Sequence, residues 1–126
     1  MTKSEIAQAF SGGQFAKCLD SLTDHTIWNI PGEQFLKGKN EIEPYCKNIT
    51  AYFSSVTTNF KQLNLIENDY CIAINGTAEF IRDGKRVSFV SSCDVYEFDA
   101  ENKILSIHSY CITERKKEQR KSCGNC

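Results

Sequence analysis

At 126 residues the chain has the length of one domain, enough to bury about two-thirds of the surface its unfolded form exposes. Hydrophobic residues make up 40% and charged residues 25%, the balance of a globular protein, and a formal charge of −1 supplies no field for gathering nucleic acid. No apolar run approaches the roughly 18 residues of a membrane span, so neither nucleic acid nor a membrane is an expected partner.

The N-terminus lacks the apolar core of a secretion signal and reads as a helix start. Ser4 is a candidate N-cap, with Ile6, Ala7, Ala9 and Phe10 as an apolar stripe behind it. Ser11-Gly12-Gly13 interrupts that helix, because two adjacent glycines cost about 2 kcal/mol against alanine. A second helix is expected over Gln14–Leu22, where Phe15, Cys18, Leu19 and Leu22 recur at helical spacing. His25–Ile30 reads as a short strand, ended by a type II turn at Pro31-Gly32. A brief extended piece with Phe35 and Leu36 precedes a third helix, expected over Glu41–Ser54 with Asn40 as its cap. Pro44 is assigned to its first turn, where a missing N–H does little harm. Ile42, Tyr45, Cys46, Ile49, Tyr52 and Phe53 give this helix one broad apolar face.

Strands follow. Val56–Ile66 turns at Glu67-Asn68-Asp69 into Tyr70–Arg82, which turns at Asp83-Gly84, a strong hairpin signal. The stretch from Arg86 to Thr113 is then two long arms rich in Val, Ile, Phe and Tyr, joined near Asn102. Helices first and a meander afterwards predict an α+β fold: three N-terminal helices packed in the concavity of a curved, mainly antiparallel sheet of four to six strands. The domain is expected over residues 1–113. Residues 114–126 form a basic tail ending in Cys123-Gly124-Asn125-Cys126, a CxxC too isolated to argue for redox or zinc chemistry. The other five cysteines, 18, 46, 71, 93 and 111, fall inside helix and strand patterns and are expected as buried free thiols, which points to a reducing cytoplasm.

Several local strings resemble the SnoaL-like branch of the NTF2-like superfamily, whose fold is an α+β cone. They are the broken helix at Ser11–Leu22, Asp24-His25-Thr26-Ile27-Trp28-Asn29-Ile30-Pro31-Gly32, and Gly38 ahead of the helix with Ile42 and Tyr45. Asn75-Gly76-Thr77-Ala78-Glu79-Phe80, Asp94-Val95-Tyr96-Glu97-Phe98-Asp99, and Lys103-Ile104 before the strand of Tyr110 complete the set. The resemblance implies an apolar pocket between sheet and helices, an apolar small molecule as ligand, and a homodimer formed through the outer sheet face. It says little about reaction, since such a fold hosts many activities.

Asp94 is the candidate catalytic residue. It lies in mid-strand, where charge is depleted. The resemblance equates it with the strand aspartate of ketosteroid isomerases, a carboxylic acid kept protonated by an apolar site. Its orientation stays open. With a plain two-residue turn at Asp83-Gly84, Ala73 opposes Asp94, and Asn75, Thr77, Glu79, Ser88, Ser92, Asp94 and Tyr96 share a polar face that belongs in water. A bulge would turn the faces over. The residue corresponding to the isomerases' catalytic base is Ile30, which cannot abstract a proton. Trp28, Ile30, Tyr45, Tyr52, Tyr96 and Phe98 are the candidate pocket residues. The two histidines, His25 and His108, lack partners at ligand spacing, so no metal is expected. No phosphate loop or dinucleotide fingerprint occurs, so no cofactor is expected.

Overall fold

The computed structural model describes residues 1–114; the expected basic tail and its CxxC lie outside the described residues. Helix α1 (Lys3–Ser11) opens on a capping box, with Thr2 Oγ1 accepting from the Glu5 N–H and Glu5 Oε1 accepting from the Thr2 N–H. The N-cap is therefore Thr2, not Ser4, because Thr2 has the glutamate three residues on. Phe15–Ser21 forms a 3-10 helix rather than the expected α-helix. Strands β1 (Ile27–Ile30) and β2 (Gln34–Lys37) are joined by the turn at Pro31-Gly32, in which the Glu33 N–H donates to the Ile30 carbonyl. Helix α2 (Lys39–Ser55) begins earlier than Asn40, on Gly38. Pro44 is thus its sixth residue, beyond the first turn, and forgoes the bond an N–H there would make to the Asn40 carbonyl. Strands β3 (Thr57–Glu67), β4 (Cys71–Arg82), β5 (Lys85–Phe98) and β6 (Ile104–Thr113) complete the chain.

The six strands form one curved, unclosed sheet in the order β2-β1-β6-β5-β4-β3. Every pairing is antiparallel except β1 with β6, which is parallel. The helices cover the concave side. The core there includes Ile6, Phe10, Phe15, Cys18, Trp28, Ile42, Ile72, Tyr96, Phe98 and Ile107. No helix among the described residues is long and apolar enough to cross a membrane.

Three bulges set which side chains enter the concavity. At the β4–β5 hairpin, Asp83 and Gly84 both have positive φ, and Arg82 and Ile81 oppose Lys85 and Arg86 as a two-residue turn requires. One extra residue, Val87, then enters β5, so that Phe80 opposes Ser88 and Ile74, not Ala73, opposes Asp94. From there on, Ile72, Ile74, Ala78 and Phe80 share the concave face with Tyr96, Asp94, Ser92 and Val90. The plain register is thereby corrected, and Asp94 and Tyr96 face the helices. Leu63 is the extra residue in β3 and Leu105 in β6.

Near the Leu63 bulge, β3 bends so close to β4 that a Cβ on Gly76 would collide with the Lys61 carbonyl. Only glycine fits there. Gly76→Ala should therefore lower the unfolding free energy by about 2 kcal/mol, as overpacking against backbone does. Urea denaturation checks this; a loss under about 0.5 kcal/mol would mean the bend yields easily.

Candidate functional site

A cavity of about 260 Å³ opens between the helices and the concave sheet face. Its walls are aromatic and aliphatic: Phe10 and Phe15 below, Trp28 and Ile30 from β1, Tyr45, Ile49 and Phe53 from α2, and Phe60 and Phe80 from the far strands. The rings hold one another in edge-on contact, with Phe10 to Trp28 at 4.9 Å and Trp28 to Tyr45 at 5.4 Å between centroids. Each polar group within such walls has few places to find a partner.

Asp94 lies in this wall at the centre of two converging hydrogen-bond chains. Ser11 Oγ donates to Asp94 Oδ2 at 2.7 Å, and Ser11 Oγ lies 2.6 Å from the Tyr96 hydroxyl. Since the one Ser11 proton goes to the carboxylate, the Tyr96 hydroxyl is the donor of that second bond. From the other side, Trp28 Nε1–H donates to Ser109 Oγ at 2.9 Å. An indole N–H can only donate, so the Ser109 proton is free for Asp94, its cross-strand neighbour and hydrogen-bond partner. The carboxylate is thus gripped by two hydroxyls, each backed by an aromatic donor.

Burial pushes the Asp94 pKa above the ordinary carboxylate value, against the smaller lowering effect of the Ser109 and Ser11 bonds. Tyr96 is fully buried, and burial together with the nearby Asp94 charge raises its hydroxyl well above the usual tyrosine value. Among the described residues, Lys61 is the one cation bordering a hollow that Asp94 also lines, and it stands on the exposed strand β3. No group of three or more His, Cys, Asp or Glu able to hold a metal occurs among the described residues.

Of the expected pocket residues, Trp28, Ile30 and Tyr45 line the cavity beside Asp94. Three do not. Tyr96 lies behind the wall, its ring packed on Phe10 and its hydroxyl spent on Ser11. Phe98, two residues further along β5, stacks on Tyr96 in the closed end of the core. Tyr52 points outward from α2, 42% exposed against Phe80. The sequence reading missed Ser11, taken as part of a helix break, and Ser109. Ser109 shares the inward parity of Ile107, and that was its available signal. It also missed Glu33 and Cys111, both of which line the cavity. Cys111 is exposed rather than buried as expected, because it sits on the concave face beyond the reach of the helices. Cys18 and Cys46 are buried free thiols, pushed up to about 11 and about 12 by that burial.

No family model and no curated protein sequence matches the chain. Solved structures do. An NTF2-like protein of unknown function from Cytophaga hutchinsonii is 34% identical, with a TM-score of 0.77 over 86% of this chain and 95% of that one. The chain belongs to the NTF2-like family. More distant structures share the SnoaL-like form of its fold. A protein proposed to be a SnoaL-like polyketide cyclase from Shewanella denitrificans is 9% identical, with a TM-score of 0.69 over 96% of this chain and 94% of that one. An LEH-like epoxide hydrolase from M. tuberculosis is 16% identical, with a TM-score of 0.63 over 83% and 75%.

The raised carboxyl has a consequence for stability. A carboxyl whose pKa is higher folded than unfolded is neutral in both states at low pH. As pH rises from its ordinary 3.8 through the elevated folded value, the unfolded state ionises first and stability falls. Asp94→Asn removes that loss. An amide can accept from Ser109 and donate to Ser11, as the neutral acid would. The variant should melt above the parent at pH 7, with a gain on the order of 1 kcal/mol that disappears toward pH 4. Thermal melts across pH check it; a variant less stable at pH 7 would show that the ionised form is the favoured one.

Proposed function

We propose that this NTF2-like protein binds an apolar small molecule in the aromatic cavity and uses Asp94 to move a proton on it. The carrying observation is the single carboxyl set into an apolar wall, with both flanking hydroxyls committed to it. Held this way, the carboxylate keeps an unbonded lone pair for a ligand proton, and Tyr96 and Trp28 buffer the charge through Ser11 and Ser109. Burial raises the Asp94 pKa, which makes it a better proton acceptor than a solvated carboxylate. The distant likeness to cyclases and an epoxide hydrolase supports the same class of chemistry without naming a substrate.

The second reading is a binding protein without turnover. One observation favours it: Ile30, 6% exposed and unable to titrate, lines the cavity, and the resemblance to ketosteroid isomerases puts their base at this position. Native mass spectrometry of freshly purified protein would find the ligand in either case, as a co-purified apolar molecule. Turnover of that molecule separates the readings. If Asp94 does the chemistry, Asp94→Asn should retain binding and lose at least about a hundredfold in kcat, the scale of one transition-state hydrogen bond or more. An unmodified ligand with the parent protein would favour storage or sensing.

The reading includes a second copy of the chain as partner. On the convex sheet face Phe35, Ile66, Tyr110 and Ile112 are 61%, 70%, 52% and 73% exposed. Together with the half-buried Val95 and Cys93 they leave more apolar surface than a monomer usually shows. A two-fold pairing of such a face with itself would cover it. Light scattering should give a dimer at tens of micromolar, and Tyr110→Lys should give a monomer; a monomeric parent overturns this. The work is assigned to a reducing compartment, since none of the five described cysteines is paired.

A further inference from the structure

A second hollow, of about 250 Å³, lies on the other side of Asp94. It is bordered by Gln8 and Gly12 of α1, by Lys61 and Gln62 of β3, and by Gly76 and Thr77 of β4. Asp94, Ser11, Ser92, Phe60 and Ala78 line both hollows and form the partition between them. The two differ in chemistry. The larger cavity is walled mainly by rings, whereas this one sets the amides and hydroxyls of Gln8, Gln62, Thr77 and Ser92 beside Phe60, Ile74 and Ala78 and is the more polar of the two. Three features of the chain shape it. Gly76, lacking a Cβ, lets the β3 backbone at Lys61 close in against β4, the Leu63 bulge places Gln62 opposite Gly76, and α1 ends at Gly12.

We propose that this polar hollow is a water-filled port through which solvent exchanges protons with Asp94 while the aromatic cavity is occupied. A space of this size accommodates several waters, and Gln8, Gln62, Thr77, Ser92 and Asp94 offer them partners. A ligand filling the aromatic cavity would strip water from that side only. Asp94 would keep its contact with solvent at its back, and its proton would be replaced without the ligand leaving. The functional consequence rests on Asp94 being the acid–base group; the port itself does not, and its test needs no substrate.

The Tyr96 hydroxyl reports on the port. It is fully buried and reaches solvent through Ser11 and Asp94, so its exchange with water reads the openness of that path. The exchange rate is measured by NMR on the ligand-free protein labelled at tyrosine. Gln62→Phe plugs the polar hollow, and Val90→Phe plugs the aromatic cavity, which Val90 lines and the port does not include. The port predicts that Val90→Phe alone changes exchange less than about twofold, and that Gln62→Phe added to Val90→Phe slows it at least about tenfold. If Gln62→Phe does not fold, Gln8→Phe plugs the same hollow from α1 and the same slowing is expected. Equal exchange in parent and plugged protein overturns the proposal, as does slowing by Val90→Phe alone. Parent exchange no faster than that of the core amides of β6 also overturns it, because the proton would then leave only by unfolding. Failure of the port would leave the turnover test of Asp94→Asn untouched, and the reverse holds as well.

Discussion

One extra residue, Val87, decides what the concave side of the sheet is made of. Without it, the tight turn at Asp83-Gly84 would pair the apolar residues of β4 with the apolar residues of β5. With it, Ile74 stands beside Asp94 and Ile72 beside Tyr96. A bulge near the end of a hairpin thus carries a carboxyl, a phenol and Ser92 into a space otherwise built of rings. Side chains alternate along a strand, so a single residue moves the whole set at once. The Leu63 and Leu105 bulges do the same for β3 and β6. Together the three bend the sheet around the helices.

Bringing a carboxyl inside is expensive unless it is partnered, and the partners chosen here are neutral. A salt bridge would have held Asp94 ionised and lowered its pKa. Two hydroxyls leave the ionised form only partly compensated, so burial wins and the pKa rises. The donors at the far ends, Trp28 and Tyr96, also pack the core, since both rings contact Phe10. Packing and electrostatics are therefore tied: moving α1 would shift Ser11 and Phe10 together. Among the described residues no buried side-chain polar atom lacks a partner, so the network is closed.

Most of the fold was legible because its signals are local. Helix stripes, the Pro31-Gly32 and Asp83-Gly84 turns, and two long β-branched runs each announce themselves within a dozen residues. The bulges do not. Nothing in Arg86-Val87-Ser88 states that one residue will go unpaired; that follows from the helices demanding Tyr96 and Phe98 for the core, an energy gained across the whole sheet. The site inherits the same gap. Asp94 could be singled out as an oddity in a strand, yet Ser11 and Ser109, 83 positions from it in one case, are brought to it only by tertiary folding. Trp28 and Ile30 alternate along β1 and Tyr45 lies on the apolar face of α2, and all three border the cavity. Phe98 and Tyr52 lie off it, at the closed end of the core and on the outer side of α2, and periodicity alone does not say how far along an element a hollow runs.

The chemistry open to this cavity is narrowed by what stands opposite the acid. Chemistry that passes a proton between a separate acid and base needs two titratable groups within reach of one ligand. Ile30 removes the position on β1, and the second carboxylate bordering the cavity, Glu33, sits exposed in the turn after that strand. A single enclosed carboxyl can still serve by taking a proton from one atom of a ligand and returning it to another. That role demands a carboxyl neither so acidic that it stays ionised nor so isolated that it cannot ionise. Two neutral hydroxyl donors against heavy burial set that compromise. A cation beside Asp94 would spoil it in one direction, and the loss of Ser11 and Ser109 would spoil it in the other.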